Sequence, residues 1–294
     1  MYRYSIRYDA VLHSPRIQRA FNGRTTMDNS HADNDAGNGT DLLFNQSLEK
    51  GLNVLRAFSA KRRTMTLAEV AEAASMSKSS AQRMVYTLEK LGYIRKHPLT
   101  RRYQLTPRVM QIGFNYLAAD TLIDVANPFL SELTNITGET TNLTEPDDDE
   151  MVYVSRFVST KFVPIHMPIG SRIPMYCTGS GRAFLSALPA DEAHARLEQM
   201  NRVAFTANTV TDVARLGELL AEVRQNGYAT NREELFIGDM SIAAPVVGSQ
   251  GRPVAAVHVV APTSRWTFDD ARLKLAPAVI DCARGISNSI RTLE

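Results

Sequence analysis

Between Thr66 and Leu105 the chain carries so many stop and start signals, in so fixed an order, that few folds can accommodate them. Thr66-Leu67-Ala68-Glu69 reads as a capping box: a threonine caps a helix, and a glutamate three residues on caps back. Strong helix formers follow to Ala74. Ser75-Met76 makes a turn, Ser77 caps again, and a second helix runs from Lys78 to Leu91 until Gly92 stops it at the position that favours a left-handed residue. Ala81, Met84, Val85, Leu88 and Leu91 recur at helical spacing and are expected to face a core. Tyr93 to Lys96 and Arg101 to Leu105 then alternate as two strands around a His97-Pro98-Leu99-Thr100 tip. Two short helices, a turn and a hairpin in this order spell a winged helix-turn-helix.

The outer face of the second helix carries Lys78, Ser79, Ser80, Gln82, Arg83 and Thr87. Short hydroxyls, an amide and two cations are the donor and acceptor set that reads base edges and phosphates in a major groove. On this reading Ser79, Ser80, Gln82 and Arg83 read bases. Lys78, Thr87, Arg95, Lys96, Arg101 and Arg102 hold phosphates, with the wing beside the adjacent minor groove. The plainer alternative is a helical pair and hairpin with a solvated basic face. Charge distribution favours nucleic acid. From Gln46 to Arg108 there are thirteen Lys and Arg against four Glu, a surplus of nine, so with a net charge of +2 the rest of the chain carries minus seven. A basic module joined to an acidic one suits a duplex-DNA binder with a separate sensing domain, because phosphate neutralisation supplies most non-specific affinity.

Residues 1–44 read as a disordered extension, since Asn29 to Thr40 has almost nothing to bury; the first 26 are alternatively upstream sequence translated ahead of a start at Met27. Residues 45–106 form the DNA-binding domain, opened by a helix capped at Ser47 with Leu48, Leu52, Leu55 and Phe58 as its stripe. Thr106-Pro107 starts a linker helix over 107–121 whose Val109, Ile112, Tyr116 and Leu117 offer a dimer contact. Residues 122–294 change pattern. A helix to Ile136 precedes strands at Thr140–Thr144, Met151–Phe157 and Phe162–Met167, helical stretches from Leu185 and from Val213 to Asn226, a hairpin of Ser241–Val247 with Pro253–Val260, and a last helix from Phe268 interrupted near Pro277. The four acids Asp147 to Glu150 sit between strands, so a turn is expected rather than a metal site. The sum is α+β: helices flanking an antiparallel sheet. Cys177 and Cys282 lack metal or disulfide spacing, and no run approaches membrane length. A cytoplasmic protein without metal or cofactor is expected.

Thr178-Gly179-Ser180-Gly181 opens a helix, so backbone amides and a positive dipole end converge where an anion can bind; a tight strand-to-helix turn needing small residues explains the same pattern. That stretch, from Gly170 to Leu185, and a second from Gly227 to Glu234 and Gly238 to Val246, together with the whole front module, resemble the IclR family of bacterial transcriptional regulators over about residues 45 to 292. The resemblance implies a GAF-like effector domain, a homodimer or dimer of dimers (a tetramer), an inverted-repeat operator and a small organic acid as effector. Position by position, it puts the effector-binding pocket on Gly179, Ser180, Asn231, Asp239, Ser241, His258 and Val260. Asn231 stands where aspartate is common in the family, and Ser241 where cysteine is. Leu105 to Met110 and Met175 to Thr178 look most like branches that sense aromatic acids of catabolic pathways. A rival reading is an enzyme tethered to DNA by its basic module, with Cys177, His166, His194, His258, Asp239 and Glu233/Glu234 as candidates, but no nucleophile elbow or paired-carboxylate motif supports it.

Overall fold

The computed structural model describes residues 43–161, 165 and 167–293. The expected extension thus lies outside the described residues, Leu43 and Phe44 excepted. So does most of the strand expected over Phe162–Met167, of which Ile165 and Met167 are described and lie outside any strand. The chain divides into two compact units, one ending at Ala119 and one beginning at Asp120.

In the first unit helix α1 (Gln46–Arg56) is capped by Asn45, not Ser47: the Asn45 carboxamide oxygen accepts from Ser47 N and Leu48 N at 3.0 and 3.1 Å. Its expected stripe splits. Phe58 and Leu55 pack on the core with Val54, whereas Leu48 stays 63% exposed on the first turn. Helix α2 (Leu67–Ala73) has the expected capping box, and Ser75 turns the chain at φ 51°. Helix α3 (Lys78–Lys90) starts from the Ser77 cap, whose hydroxyl accepts from Ser80 N. Ala81, Val85 and Leu88 are buried and Met84 packs beside them; Leu91 instead sits at the C-cap, past the last turn, and is 51% exposed. Gly92 follows at φ 79°.

Strands β1 (Ile94–Lys96) and β2 (Tyr103–Leu105) form the hairpin, with Ile94 opposite Leu105 and Lys96 opposite Tyr103. Met65 adds a third, one-residue bridge by exchanging both backbone hydrogen bonds with Tyr103, at 2.9 and 2.7 Å. The wing is thereby sewn to the segment just ahead of α2. Thr106 caps a 3-10 turn, Pro107–Val109, and helix α4 (Met110–Ala119) follows with no buried side chain.

In the second unit α5 (Thr121–Thr137) ends at left-handed Gly138. Strands β3 (Thr141–Asp147) and β4 (Glu150–Phe157) run longer than expected, leaving only Asp148 and Asp149 in the turn. The flanking acids are spent on a strand the sequence reading missed. Arg172 in β5 (Arg172–Pro174) bonds Asp147 and Glu150, each at 2.6 Å. Helices α6 (Gly179–Ser186), α7 (Ala190–Gln199) and α8 (Val213–Asn226) precede β6 (Ala229–Arg232), β7 (Met240–Val247) and β8 (Pro253–Val260). The six strands order β5-β4-β3-β8-β7-β6, every pair antiparallel. Nearly every residue of β7 and β8 is buried, so both faces are covered: α6 packs on β6, β7 and β8, while α5 and the last helix pair over β3, β4, β7 and β8. That last helix, α9 (Phe268–Arg291), is continuous through Pro277 rather than interrupted. Proline removes one bond, to the carbonyl of Leu273, and both residues are exposed, where water can serve that carbonyl.

Candidate nucleic-acid interface and effector cavity

On α3, Lys78, Ser79, Gln82, Arg83 and Thr87 are exposed and Ser80 half-buried, while Ala81, Val85 and Leu88 anchor the opposite face. Ser79 Oγ lies 3.1 Å from the capping Ser77 Oγ, and Thr87 donates its hydroxyl to Arg83 O at 3.0 Å, so only its oxygen lone pairs face outward. On the wing Lys96 lies over the Tyr103 ring, 5.2 Å from its centre, and Arg101 is exposed at φ 58°. His97, absent from the expected contacts, builds the tip: its Nδ1 accepts from Leu99 N and Thr100 N at 3.3 and 3.2 Å. Arg95 stands opposite Gln104 on the hairpin and is exposed. The Arg102 guanidinium is engaged with Thr64 and Glu69.

The second unit brings all seven expected pocket residues to one cavity. Gly179, Ser180, Asn231, Asp239, Ser241, His258 and Val260 line a space of about 30 Å³, walled further by Tyr153, Arg156, Met167, Leu235 and Phe236. The cradle exists because of two glycines. A Cβ on Gly181 would lie 2.2 Å from Met175 Cα, and one on Gly179 would lie 2.7 Å from Ser241 Oγ. At 181 only glycine fits, because the neighbour is backbone; at 179 the neighbour is the Ser241 side chain, which would have to turn aside. Thr178 locks that turn, accepting from Gly181 N at 3.3 Å and donating to Pro174 O at 2.7 Å. Every residue of α6 is buried, so its N-terminal dipole acts where water screens it least.

Strand register assembles the rest. Arg156 pairs with Asn142, Asn142 with His258, and His258 with Ala243, one row across the sheet. Val260, Ser241 and Asn231 form the next row on the same face, two residues along. Asn231 is a strut: its amide donates to Cys177 O at 3.2 Å and its carbonyl accepts from Glu234 N at 3.1 Å. Beneath it Arg182 and Glu234 form a buried pair at 2.6 Å, tying α6 to the loop that carries Leu235, Phe236 and Asp239.

Burial pushes the Asp239 carboxyl up to about 7 even with Arg156 nearby to lower it. Burial, reinforced by Arg156, pushes His258 down to about 3, so its ring is neutral at ordinary pH. Asn142 donates to its Nε2 at 3.0 Å, which leaves the proton on Nδ1. That Nδ1 and the Ser180 hydroxyl are buried without a hydrogen-bond partner, an arrangement that costs stability unless something in the cavity pairs with them. Tyr153 meets the His258 ring edge-on at 5.4 Å. The sequence reading missed Arg156, Tyr153 and Asn142.

Of the described enzyme candidates only Asp239 and His258 share the cavity. Cys177 is fully buried and its thiol is pushed far up by desolvation, His194 is exposed on α7, Glu233 accepts from Gly238 N, and Glu234 is consumed by Arg182; His166 lies outside the described residues. Among the described candidates no nucleophile stands beside a base.

Residues 47–98 match the IclR helix-turn-helix domain, and residues 114–288 match the bacterial transcriptional regulator IclR C-terminal domain. The chain belongs to the IclR family of bacterial transcriptional regulators. Like other IclR proteins it pairs an N-terminal helix-turn-helix with an α+β domain. It is 28% identical to the Pca regulon regulatory protein of Pseudomonas putida over 84% of each chain. Identity to the p-hydroxybenzoate hydroxylase transcriptional activator of Acinetobacter baylyi is 31%, over 84% of this chain and 90% of that one. Among solved structures, an IclR transcriptional regulator from Alicyclobacillus acidocaldarius superposes with a TM-score of 0.73 at 27% identity, over 82% of this chain and 97% of that one. No helix among the described residues is long and apolar enough to cross a membrane.

Proposed function

We propose that the chain is a cytoplasmic transcription factor, not an enzyme, whose second unit binds a small organic acid and thereby alters how α3 and the wing engage an inverted-repeat operator. Ser79, Ser80, Gln82 and Arg83 read base edges; Lys78, Arg95, Lys96 and Arg101 hold phosphates, whereas Thr87, expected among them, has its proton committed to Arg83 O and offers a phosphate no donor. The exposed apolar residues of α4, among them Ile112 and Tyr116, join two copies. The observation that carries the effector half is the cavity itself: helix-dipole amides at Gly179 and Ser180, the Arg156 guanidinium and two orphaned polar groups lining one enclosed space. A carboxylate suits the amides and the cation, and His258 Nδ1–H suits a second oxygen. An aromatic acid is the favoured class, supported by the p-hydroxybenzoate hydroxylase activator among the relatives. At about 30 Å³ the cavity holds a water or two, so a ring enters only if the Leu235–Phe236 wall moves. The response can be no larger than the ligand's differential affinity for the two arrangements.

The test uses the full chain. Calorimetry against p-hydroxybenzoate, benzoate and a panel of short-chain acids should find one binder, and Arg156→Leu should abolish that binding. Arg83→Ala should cost roughly 1–3 kcal/mol of sequence-specific DNA affinity. Undiminished operator binding by that variant would remove α3 from the groove, and silence across the acid panel would remove the sensor.

A further inference from the structure

We propose that Arg102, although it lies on the basic wing, is a positioning residue rather than a DNA contact. With Glu69 it clamps strand β2 to the N-cap of α2, and so holds the wing at the angle at which Lys96 and Arg101 meet a duplex. This rests on the DNA-binding reading above and goes beyond it.

The geometry is specific. Arg102 Nε donates to Thr64 Oγ1 at 2.9 Å, and its Nη2 donates to Thr64 O at 2.9 Å and to Glu69 Oε2 at 2.7 Å. The same Glu69 oxygen accepts from Thr66 N at 2.6 Å, closing the capping box. One carboxylate oxygen therefore joins the first turn of α2 to the wing. The Thr66 amide and the Arg102 guanidinium together hold the Glu69 carboxyl below its usual range. Met65, between Thr64 and Thr66, is bonded to Tyr103, beside Arg102, by both backbone groups. The fork thus reinforces a seam already present in the backbone. A phosphate contact needs donors aimed outward, and here three of the five guanidinium donors are spent on Thr64 and Glu69, leaving those of Nη1. Lysine could not reproduce the three bonds, because a single ammonium lacks the planar fork. The side chains are 34% and 49% exposed, so removing either opens no core.

The charge of Glu69 gives the proposal a test with a sign. Glu69→Gln removes a negative charge from a domain that approaches DNA, so electrostatics alone predicts tighter binding. Gln also serves at that capping-box position, so α2 keeps its start. The probe is a duplex that the wild-type protein selects from a randomised library, titrated at several salt concentrations. The clamp predicts that Glu69→Gln weakens binding about fivefold with an unchanged salt slope, as loss of one well-formed pair would. It also predicts that Arg102→Lys is as weak as Arg102→Ala, and that the Glu69→Gln/Arg102→Ala double variant is no weaker than Arg102→Ala alone. Unchanged or tighter binding by Glu69→Gln would overturn it. So would an Arg102→Lys variant of wild-type affinity, beside an Arg102→Ala variant whose salt slope falls by about one, since that pattern marks a phosphate contact. A wild-type protein that selects no duplex would fell the DNA-binding reading itself.

Discussion

Asp239→Asn should stabilise the protein by an amount that grows with pH. The folded state holds the Asp239 proton up to about 7, against 3.8 for an exposed carboxyl. Desolvation penalises the anion, and Arg156 offsets only part of that penalty. Since folding raises this pKa, the protonated group costs nothing below pH 4; stability is lost as pH rises from there through 7 and is level above. Three units at about 1.4 kcal/mol each set a ceiling near 4 kcal/mol, of which the two units between pH 5 and 7 hold about 3 kcal/mol. The residue is half-buried, so water recovers part of this, and about 1–3 kcal/mol is the expected gain. The measurement is urea unfolding of the full chain and of Asp239→Asn at pH 5, 6, 7 and 8. The difference between them, rather than either curve, isolates this group, because His258 acts in the opposite sense. Its depressed pKa makes stability fall as pH drops below 6.5. A difference that stays flat from pH 5 to pH 8 would refute the reasoning, by showing that the carboxyl is ionised and solvated throughout.

Two further predictions concern the backbone. Ser75→Gly should raise the urea midpoint by the equivalent of about 0.5–1 kcal/mol, because Ser75 occupies φ 51° in the helix-turn-helix turn and glycine adopts that conformation without steric cost. A lower midpoint would mean that the serine side chain makes a contact worth more than the strain. Gly181→Ala should cost at least about 3 kcal/mol or prevent folding of the second unit, since its Cβ would sit 2.2 Å from backbone; Gly217→Ala, which meets open space in α8, should gain up to about 1 kcal/mol in the same melts.

The helix-turn-helix was legible almost residue by residue, because its signals are local. The Thr66–Glu69 box, the Ser77 cap and Gly92 each act within one turn of chain, and each is where the pattern required it. The misses are equally instructive. Ser47 lost the first cap to Asn45 because both residue types cap well and periodicity does not choose between positions two apart. Leu91 kept the helical spacing but fell past the last turn, where nothing covers it. Pro277 looked like a break, yet a proline on an exposed helix face removes one bond without ending the helix.

For the cavity, residue identities carried the first half of the argument. Glycines at 179 and 181, after a capping threonine, announced a helix start pressed against something, and likeness to a family supplied the other positions. Arg156 was invisible on one strand read alone. It enters the site because antiparallel register sets it in a row with Asn142 and His258, the last over a hundred positions away in the chain. Arg102 shows the reverse: composition counts it among wing cations, and only the packing of β2 against the start of α2 turns its charge inward. Short-range hydrogen bonding, which a linear string encodes, determined the caps, turns and helices here. Which charges face a ligand, a duplex or one another was decided by strand pairing and packing, because those neighbours are brought together only when the whole sheet and hairpin close.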